Sequence, residues 1–189
     1  MGKTYPEIDA RLRAWIAAQP MFFVATAPLS GDGHVNLSPK GYASFQVLGQ
    51  RRVAYLDIGG SGIETQSHIQ ENGRITVMFC AFEGRARILR LHGKARAVGF
   101  EEPEFAHLRA QFDLECRARA VILIDVHRIA DSCGWSVPFM DYRGERDQLL
   151  RSQSIYKTDA DWAARRYAND AESIDGLPGL LPPLRRAAE

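Results

Sequence analysis

The sequence has few of the residues that build metal sites or disulfide frameworks. Its 189 residues include three cysteines and five histidines. No two cysteines form a CxxC pair, and the histidines show neither HxH nor HExxH spacing, so neither a disulfide framework nor a metal site is expected. Unpaired cysteines favour a cytoplasmic protein. Cys80, inside ITVMFCAF, is expected to be buried as a small apolar residue.

The sequence also lacks an excess of charge and a long apolar run. Lys and Arg number 24 against 23 Asp and Glu, which leaves a formal charge of +1. This balance gives no reason to expect a nucleic-acid or membrane partner. The longest apolar runs, such as Ala120–Ile124, are too short to span a bilayer. The charged N-terminal residues are not followed by the apolar core of a signal peptide.

Familiar catalytic motifs are absent as well. There is no phosphate-binding P-loop and no GxGxxG fingerprint, which argues against a Rossmann fold. Asp125 and His127 share a strand face and could act as acid and base. However, GxSxG is absent, and no serine or cysteine has the setting of a nucleophile. We therefore predict no catalytic side chains.

Residue patterns predict a chain made mainly of β-strands. A helix precedes Gln19-Pro20, a second begins near Ser61, and a third covers Glu101–Phe112. Predicted strands lie in MFFVATA, HVNLSPKG, Phe45–Leu48, Arg51–Ile58, Arg74–Phe82, Arg85–Val98 and Ala120–Ile129, with a bulge or bend at Gly93. This order favours a closed or split antiparallel barrel over residues 1–143. Residues 144–189, with short helical patterns and the segment SIDGLPGLLPP, are predicted to pack on its surface.

Polar side chains alternate along the strand in HVNLSPKG. The pleat of a strand sends Asn36, Ser38 and Lys40 to one face and the residues between them to the other. Asn36 and Ser38 could hold a polar heterocycle by hydrogen bonds, and Lys40 could meet an anion. The alternative for Lys40 is an ordinary solvated lysine at a turn.

The segment SGIE supports two competing interpretations. Ser61 and Glu64 have the spacing of a capping box, in which they would occupy the free backbone N–H groups at the helix start. Those same groups could instead hold an anion. Further along, Arg85 and Arg87 share one strand face, and either they form a solvated surface or one of them reaches an anionic ligand.

The stretch from HVNLSPKG through RRVAYLDI and GGSGIETQSHIQENG to RITVMFCAF resembles the FMN-binding split barrel of the pyridoxamine 5′-phosphate oxidase-like superfamily. The resemblance covers about residues 20–135. It implies a mainly β fold with peripheral helices, namely a six-stranded antiparallel split β-barrel. It also implies a homodimer in which both chains line each FMN cleft. Where the oxidases carry a basic Ser-Arg-Lys turn, this sequence has Glu64, Thr65 and Gln66, which bring no positive charge.

The resemblance also implies roles for individual residues. Asn36 and Ser38 would bind the flavin edge, and Lys40 its phosphate. Thr65 and Gln66 would bind the phosphate or the ribityl chain. Trp135 or Cys133 would edge the pocket, unless Trp135 is a core or interface residue. The full set predicted to bind the cofactor is Asn36, Leu37, Ser38, Lys40, Asp57, Ser61, Thr65, Gln66 and Trp135.

The function implied by the resemblance is that of an FMN-dependent oxidoreductase acting on a small molecule. Two alternatives stay open: the same fold with a deazaflavin or haem, and a binding protein without turnover. Pyridoxamine 5′-phosphate oxidation itself is not expected, because GWSVPFMDYRGER lacks the Arg-Leu-His motif of the true oxidases. Apolar residues that would form the dimer interface are Phe22, Phe23, Phe45, Trp135 and Phe139.

Overall fold

The computed structural model describes residues 2–180. Its strands are β1 (Thr4–Tyr5), β2 (Phe22–Thr26), β3 (Asn36–Lys40), β4 (Phe45–Val47), β5 (Arg52–Asp57), β6 (Arg74–Cys80), β7 (Ile88–Gly99) and β8 (Ala120–Ser132). Its helices are α1 (Ala10–Ala17), α2 (Glu64–Asn72), α3 (Phe105–Arg109), α4 (Gln148–Gln153) and α5 (Asp159–Asn169). No helix within residues 2–180 is long and apolar enough to cross a membrane.

All strands belong to one antiparallel sheet. Along the sheet their order is β3-β2-β6-β7-β8-β5-β4, and the short β1 pairs with β8. The mainly β, antiparallel architecture is confirmed, but the predicted count of six strands is wrong. Seven strands follow one path and β1 makes an eighth. The count of six is what the resemblance implies, whereas the residue patterns predict seven strands that match β2–β8, and the two-residue β1 adds an eighth.

The longest strand pair of the sheet is β7 with β8. Its register shifts between His92 and Gly93, where the sequence predicts a bulge. A Cβ at Gly93 would come within 2.6 Å of the Asp125 carbonyl oxygen, so only glycine allows this close approach. The apolar run Ala120–Ile124 is buried throughout, as expected of a central strand.

Aromatic side chains fill the centre of that core. Phe22 is 3% exposed and packs against Phe45, Tyr55 and Phe79, with ring centroids 5.0 to 5.8 Å apart. Phe22 therefore does not belong to a surface available for dimerisation, contrary to the prediction.

The helices are peripheral. Asp9 caps α1 by accepting the Leu12 N–H at 2.7 Å, and Leu12 and Ile16 bury one face of the helix. The third helix is shorter than the predicted span Glu101–Phe112, since only Phe105–Arg109 is helical. Leu108 and Phe112 are nevertheless buried in a second core on the other side of the sheet.

The segment after residue 147 makes specific contacts with the sheet. In α4, the Gln153 side-chain amide donates to the carbonyls of Ile58 and Arg117 at 3.2 and 2.8 Å. In α5, Trp162 packs edge-on against Phe100, with ring centroids 5.3 Å apart. These contacts place the segment beside the C-terminal end of β5. Leu181, Pro182 and Pro183 of the predicted surface segment, with the residues after them, lie outside the described residues.

Candidate functional site

A cleft of about 570 Å³ opens where β3, the loop after β5 and the start of α2 meet. We call it the β3 cleft. Its lining residues are His34, Val35, Asn36, Leu37, Ser38, Lys40, Gly59, Gly60, Ser61, Gly62, Glu64, Thr65, Arg119 and Ile174. The volume falls in the range of small-molecule and cofactor sites.

The first wall of the cleft is β3, whose pleat is as predicted. β3 pairs with β2 in a hairpin whose register sets Thr26 opposite Asn36 and Phe22 opposite Lys40. Asn36, Ser38 and Lys40 are half-buried, whereas Leu37 is exposed at the rim. The alternation gives this wall hydrogen-bonding groups and one cation, as a polar ligand requires.

A buried hydrogen-bond chain fixes Asn36. Its side-chain nitrogen donates to the hydroxyl oxygens of Thr65 at 3.0 Å and Thr26 at 3.2 Å. The Thr26 hydroxyl lies 3.0 Å from Nδ1 of His68, a ring that is fully buried. Burial lowers the pKa of His68 below its usual value, which keeps the ring neutral. With both amide hydrogens engaged, the side-chain oxygen of Asn36 is the atom left to accept a hydrogen bond from a ligand.

The second wall is the glycine-rich loop and the start of α2. Gly59 and Gly60 adopt positive φ angles of 96° and 157°, which favour glycine. The helix begins at Glu64, with Ile63 as its N-cap and no side-chain capping hydrogen bond. The predicted capping box of Ser61 and Glu64 is therefore wrong.

The error follows from the length of the loop. The unusual backbone at the two glycines keeps Ser61 two residues ahead of the N-cap, so its side chain is exposed at the cleft. The N–H groups of Glu64, Thr65 and Gln66 make no hydrogen bond within residues 2–180. They are the free donors that every helix start leaves, and they can bind an anion.

A buried ion network supports the cleft from behind. Arg119 Nε lies 3.1 Å from Asp57 Oδ2, and Arg119 Nη1 lies 3.0 Å from Asp170 Oδ2. Arg119 Nη2 donates to the Gly62 carbonyl at 2.6 Å, and Gln66 donates to Asp57 at 2.9 Å. Arg119 thus joins the end of β5, the glycine-rich loop and the C-terminal segment in one place.

Charges inside the cleft have opposite signs at its two ends. Burial alone would raise the pKa of Asp57, but the charges of Arg119 and Lys40 lower it below its usual value. Lys40 therefore lies close enough to act on the network, and it forms no salt bridge within the described residues. At the other end, the Glu64 carboxylate folds back over Gly62, where a Cβ would come within 2.2 Å of Oε2.

The structure brings together six of the nine residues predicted to bind the cofactor: Asn36, Leu37, Ser38, Lys40, Ser61 and Thr65. Asp57 and Gln66 do not line the cleft, because they are buried behind it and hydrogen-bonded to each other. Trp135 is 85% exposed and lies at a separate cleft beside α1, so it is not a core residue.

Sequence reasoning missed several residues of this site. Arg119 could have been suspected, since an arginine directly before a fully apolar strand must find acidic partners. His68 follows Thr65 by three positions on α2 and so shares its buried face, which is also a readable signal. His34 and Ile174 gave no such signal, because the contact of His34 with Asp175, at 2.6 Å between Nδ1 and Oδ1, depends on the fold.

Comparison with known proteins identifies the family of this chain. The family model described as pyridoxamine 5′-phosphate oxidase matches residues 8–133. The chain belongs to this family. It is also similar to the pyridoxamine 5′-phosphate oxidase family protein ustO of Aspergillus flavus, with 35% identity over 201 residues, covering 98% of this chain and 80% of the relative.

Solved structures related to the family confirm the split-barrel fold. HupZ of Group A Streptococcus is 26% identical, with a TM-score of 0.52, covering 65% of this chain and 91% of the other. A structure from Lactobacillus delbrueckii, described as that of a candidate pyridoxamine 5′-phosphate oxidase, superposes with a TM-score of 0.51 at 15% identity, covering 67% and 98% of the two chains.

Proposed function

We propose that this chain binds FMN in the β3 cleft and acts as an oxidoreductase on a small molecule. The observation that carries the proposal is the combination found in one cleft: the fixed amide of Asn36, the cation of Lys40 and the free N–H groups at the start of α2. These groups suit a ligand with a polar planar ring and an anionic end.

The residues present fit such a cofactor without supplying reactive groups of their own. Asn36 and Ser38 would orient the ring, and Lys40 with the α2 N–H groups would hold the phosphate. Bound FMN supplies the hydride or electron transfer. Within the described residues, no three His, Cys, Asp or Glu side chains cluster as a metal site would need.

Lys40 provides the sharpest test of the cofactor. If Lys40 contacts the phosphate, Lys40→Ala removes a charge-assisted hydrogen bond worth about 1.5–3 kcal/mol, which weakens FMN binding roughly 10- to 150-fold. Lys157→Ala is the matched control, because Lys157 is exposed and away from the cleft. Titrating the ligand-free proteins with FMN and following flavin fluorescence measures both dissociation constants. Equal constants for Lys40→Ala and Lys157→Ala would remove Lys40 from the site.

The visible spectrum of the purified protein separates the alternatives. Flavin, deazaflavin and haem absorb differently, and a protein that binds none of them is colourless. The carboxylate of Glu64 at the start of α2 is the feature that favours a binding protein without turnover, because it repels a phosphate there. A colourless wild type that also fails to bind added FMN would overturn the flavin proposal.

We expect no conversion of pyridoxamine 5′-phosphate. The segment after β8 brings no Arg-Leu-His motif, and its side chains Trp135, Phe139 and Met140 are exposed apolar groups instead. An assay for pyridoxal 5′-phosphate with FMN-loaded protein tests this expectation. Stoichiometric product at a physiological rate would show it wrong.

We further propose a cytoplasmic homodimer. Phe139 and Met140 are 84% and 55% exposed, and large apolar side chains this exposed suit a two-fold interface. Phe139→Asp should then shift the dimer towards a monomer of about half its mass in light scattering. A monomeric wild type of 21.1 kDa at micromolar concentration would exclude the shared interface.

A further inference from the structure

A second cleft, of about 930 Å³, lies beside α1 and shares no lining residue with the β3 cleft. We call it the α1 cleft. Cationic and aromatic side chains from α1 and from the residues before β1, before β7 and after β8 dominate its wall, among them Lys3, Arg11, Trp15, Arg85, Arg87 and Trp135. Neither the family match nor the proposed flavin site gives this cleft a role.

Arg87 is held rigidly in the wall. Its guanidinium carbon lies 4.7 Å from the centroid of the Trp15 ring and 5.4 Å from that of Tyr5. Nη2 donates to the Tyr5 hydroxyl at 2.8 Å, and Nε lies 3.3 Å from Asp131 Oδ2. Nη1 has no hydrogen-bond partner within residues 2–180 and is not among the buried polar atoms. One nitrogen of a fixed guanidinium is therefore open to the cleft.

The backbone around Arg87 is also fixed. Gly134 has a φ of 67° and packs so closely that a Cβ there would come within 2.8 Å of the Arg87 backbone nitrogen. Only glycine permits this contact. The position of this guanidinium therefore depends on the backbone just before β7 and on that of the turn after β8, besides the side chains that surround it.

The two acids of the α1 cleft already have partners. Asp131 accepts the Lys3 N–H at 2.8 Å and the Tyr5 hydroxyl at 2.5 Å, and Asp9 caps α1. In contrast, the side chains of Arg11 and Arg85 are exposed and form no salt bridge with the described residues. With Lys3 and Arg87, four cations face two acids, which leaves an excess of two positive charges.

We propose that the α1 cleft binds a small aromatic carboxylate. A carboxylate matches the planar fork of Arg87, and a flat apolar body matches the rings of Trp15 and Trp135. Asp9 caps the start of α1 at this cleft with a carboxylate that would repel a phosphate, and no glycine among residues 2–180 lines the cleft, unlike the arrangement at the β3 cleft. This proposal does not depend on flavin binding.

Cys133 lines the α1 cleft and provides a reporter. Its thiol is exposed, whereas Cys116 is half-buried and Cys80 is buried. Dithiodipyridine, a neutral thiol reagent, should react fastest at Cys133, and Cys133→Ser defines the remaining signal. We expect naphthoate to slow this reaction in a saturable way. The neutral naphthamide and inorganic phosphate should protect much less.

Variants separate this site from a general surface effect. Arg87→Met should weaken naphthoate protection roughly 10- to 150-fold, the loss expected for a charge-assisted contact. Arg11→Gln with Arg85→Gln, two exposed changes that leave the fold untouched, should weaken it roughly 2- to 10-fold. Lys157→Met should change nothing. These variants should keep the wild-type dissociation constant for FMN, and Lys40→Ala should keep naphthoate protection of Cys133. Loss of binding at one cleft should therefore leave binding at the other unchanged.

Three results would overturn the proposal. The first is no protection of wild-type Cys133 by naphthoate. The second is equal protection by naphthoate and naphthamide, which would mean that only the aromatic body binds. The third is equal protection by phosphate and naphthoate, which would mean that the cleft is a general anion site. If Arg87→Met does not fold, unchanged protection in the Arg11→Gln, Arg85→Gln double variant would also count against it.

Discussion

Arg119 and Arg87 each lie behind a cleft, but their surroundings differ. Arg119 is 4% exposed, and its three guanidinium nitrogens all face acceptors: Asp57, Asp170 and the Gly62 carbonyl. The Arg87 side chain is 22% exposed and has one carboxylate partner, Asp131, at 3.3 Å. The guanidinium of Arg119 lies between two carboxylates and a carbonyl of the protein, whereas Nη1 of Arg87 has no hydrogen-bond partner within residues 2–180.

This difference shows that partner count and burial decide what an arginine does. A buried cation between carboxylates is stable only while every charge stays compensated. With Arg166 Nη1 3.4 Å from Asp170, the network at Arg119 balances two arginines against two aspartates. Arg119 is therefore a structural residue that positions the loop of the β3 cleft, whereas Arg87 is available to a ligand.

The largest effect should come from Arg119→Met. The change leaves Asp57 and Asp170 buried without their main partner, which should lower the free energy of unfolding by about 3–5 kcal/mol. Arg52→Met is the matched control, because Arg52 and Asp125 are paired on the surface with side chains 57% and 68% exposed. Its cost should stay below about 1 kcal/mol. Chemical denaturation measures both values, and similar costs would contradict the distinction drawn here.

Asp170→Asn should have an intermediate effect. Removing one charge from the network should lower the free energy of unfolding by about 1–3 kcal/mol, the usual effect of leaving a buried partner unsatisfied. The C-terminal segment should also loosen, because Asp170 is its link to Arg119. Limited proteolysis should then cleave between residues 144 and 180 faster than in the wild type. Unchanged cleavage would mean that α4 and Trp162 hold the segment without Asp170.

Tyr5→Phe should have a smaller effect. The change removes the hydroxyl that donates to Asp131 and accepts from Arg87, at a cost of about 0.5–1.5 kcal/mol. The aromatic ring that packs against Arg87 remains. Thermal or chemical denaturation measures the cost. If Tyr5→Phe lowered the free energy of unfolding as much as Arg119→Met, Arg87 would have to be regarded as a structural residue like Arg119.

The smallest effect should appear in the pH dependence. Burial alone would raise the pKa of Asp131, but the Tyr5 hydrogen bond and the Arg87 charge lower it. A carboxyl with a lowered pKa stabilises the fold above its usual pKa of 3.8 and loses that contribution as the pH falls further. Unfolding at pH 5, 4 and 3 should therefore show a shallower decline for Asp131→Asn than for the wild type. Parallel declines would show that Asp131 does not contribute.

The sequence predicted the parts of the site that depend on local geometry. Asn36, Ser38 and Lys40 follow from the two-residue period of a strand, and the hairpin followed from turn residues. The start of α2 was predicted wrongly, because the backbone of Gly59 and Gly60 delays the helix in a way that residue spacing does not reveal. The local residue pattern was sufficient to predict which side chains of β3 face the cleft, but not where the loop ends and α2 begins.

The network at Arg119 could not be predicted, because its members come from distant parts of the chain. The resemblance implies that Asp57 binds the cofactor, but its carboxylate is used by Arg119 and Gln66. No residue pattern near Asp57 predicts that Asp170 shares its partner Arg119. Ion pairs of this kind depend on the final fold. They decide whether a polar residue can bind a ligand or is already used to stabilise the fold.

The buried link between Arg119 and Asp170 has a consequence for protein synthesis. A chain emerges from the ribosome from its N-terminus and begins to fold as it emerges. All strands of the sheet and Arg119 are therefore exposed before Asp170 and Arg166 have been made. Until then, Arg119 has Asp57 as its only carboxylate in this network. The ion pairs behind the β3 cleft are therefore complete only after α5 has been made.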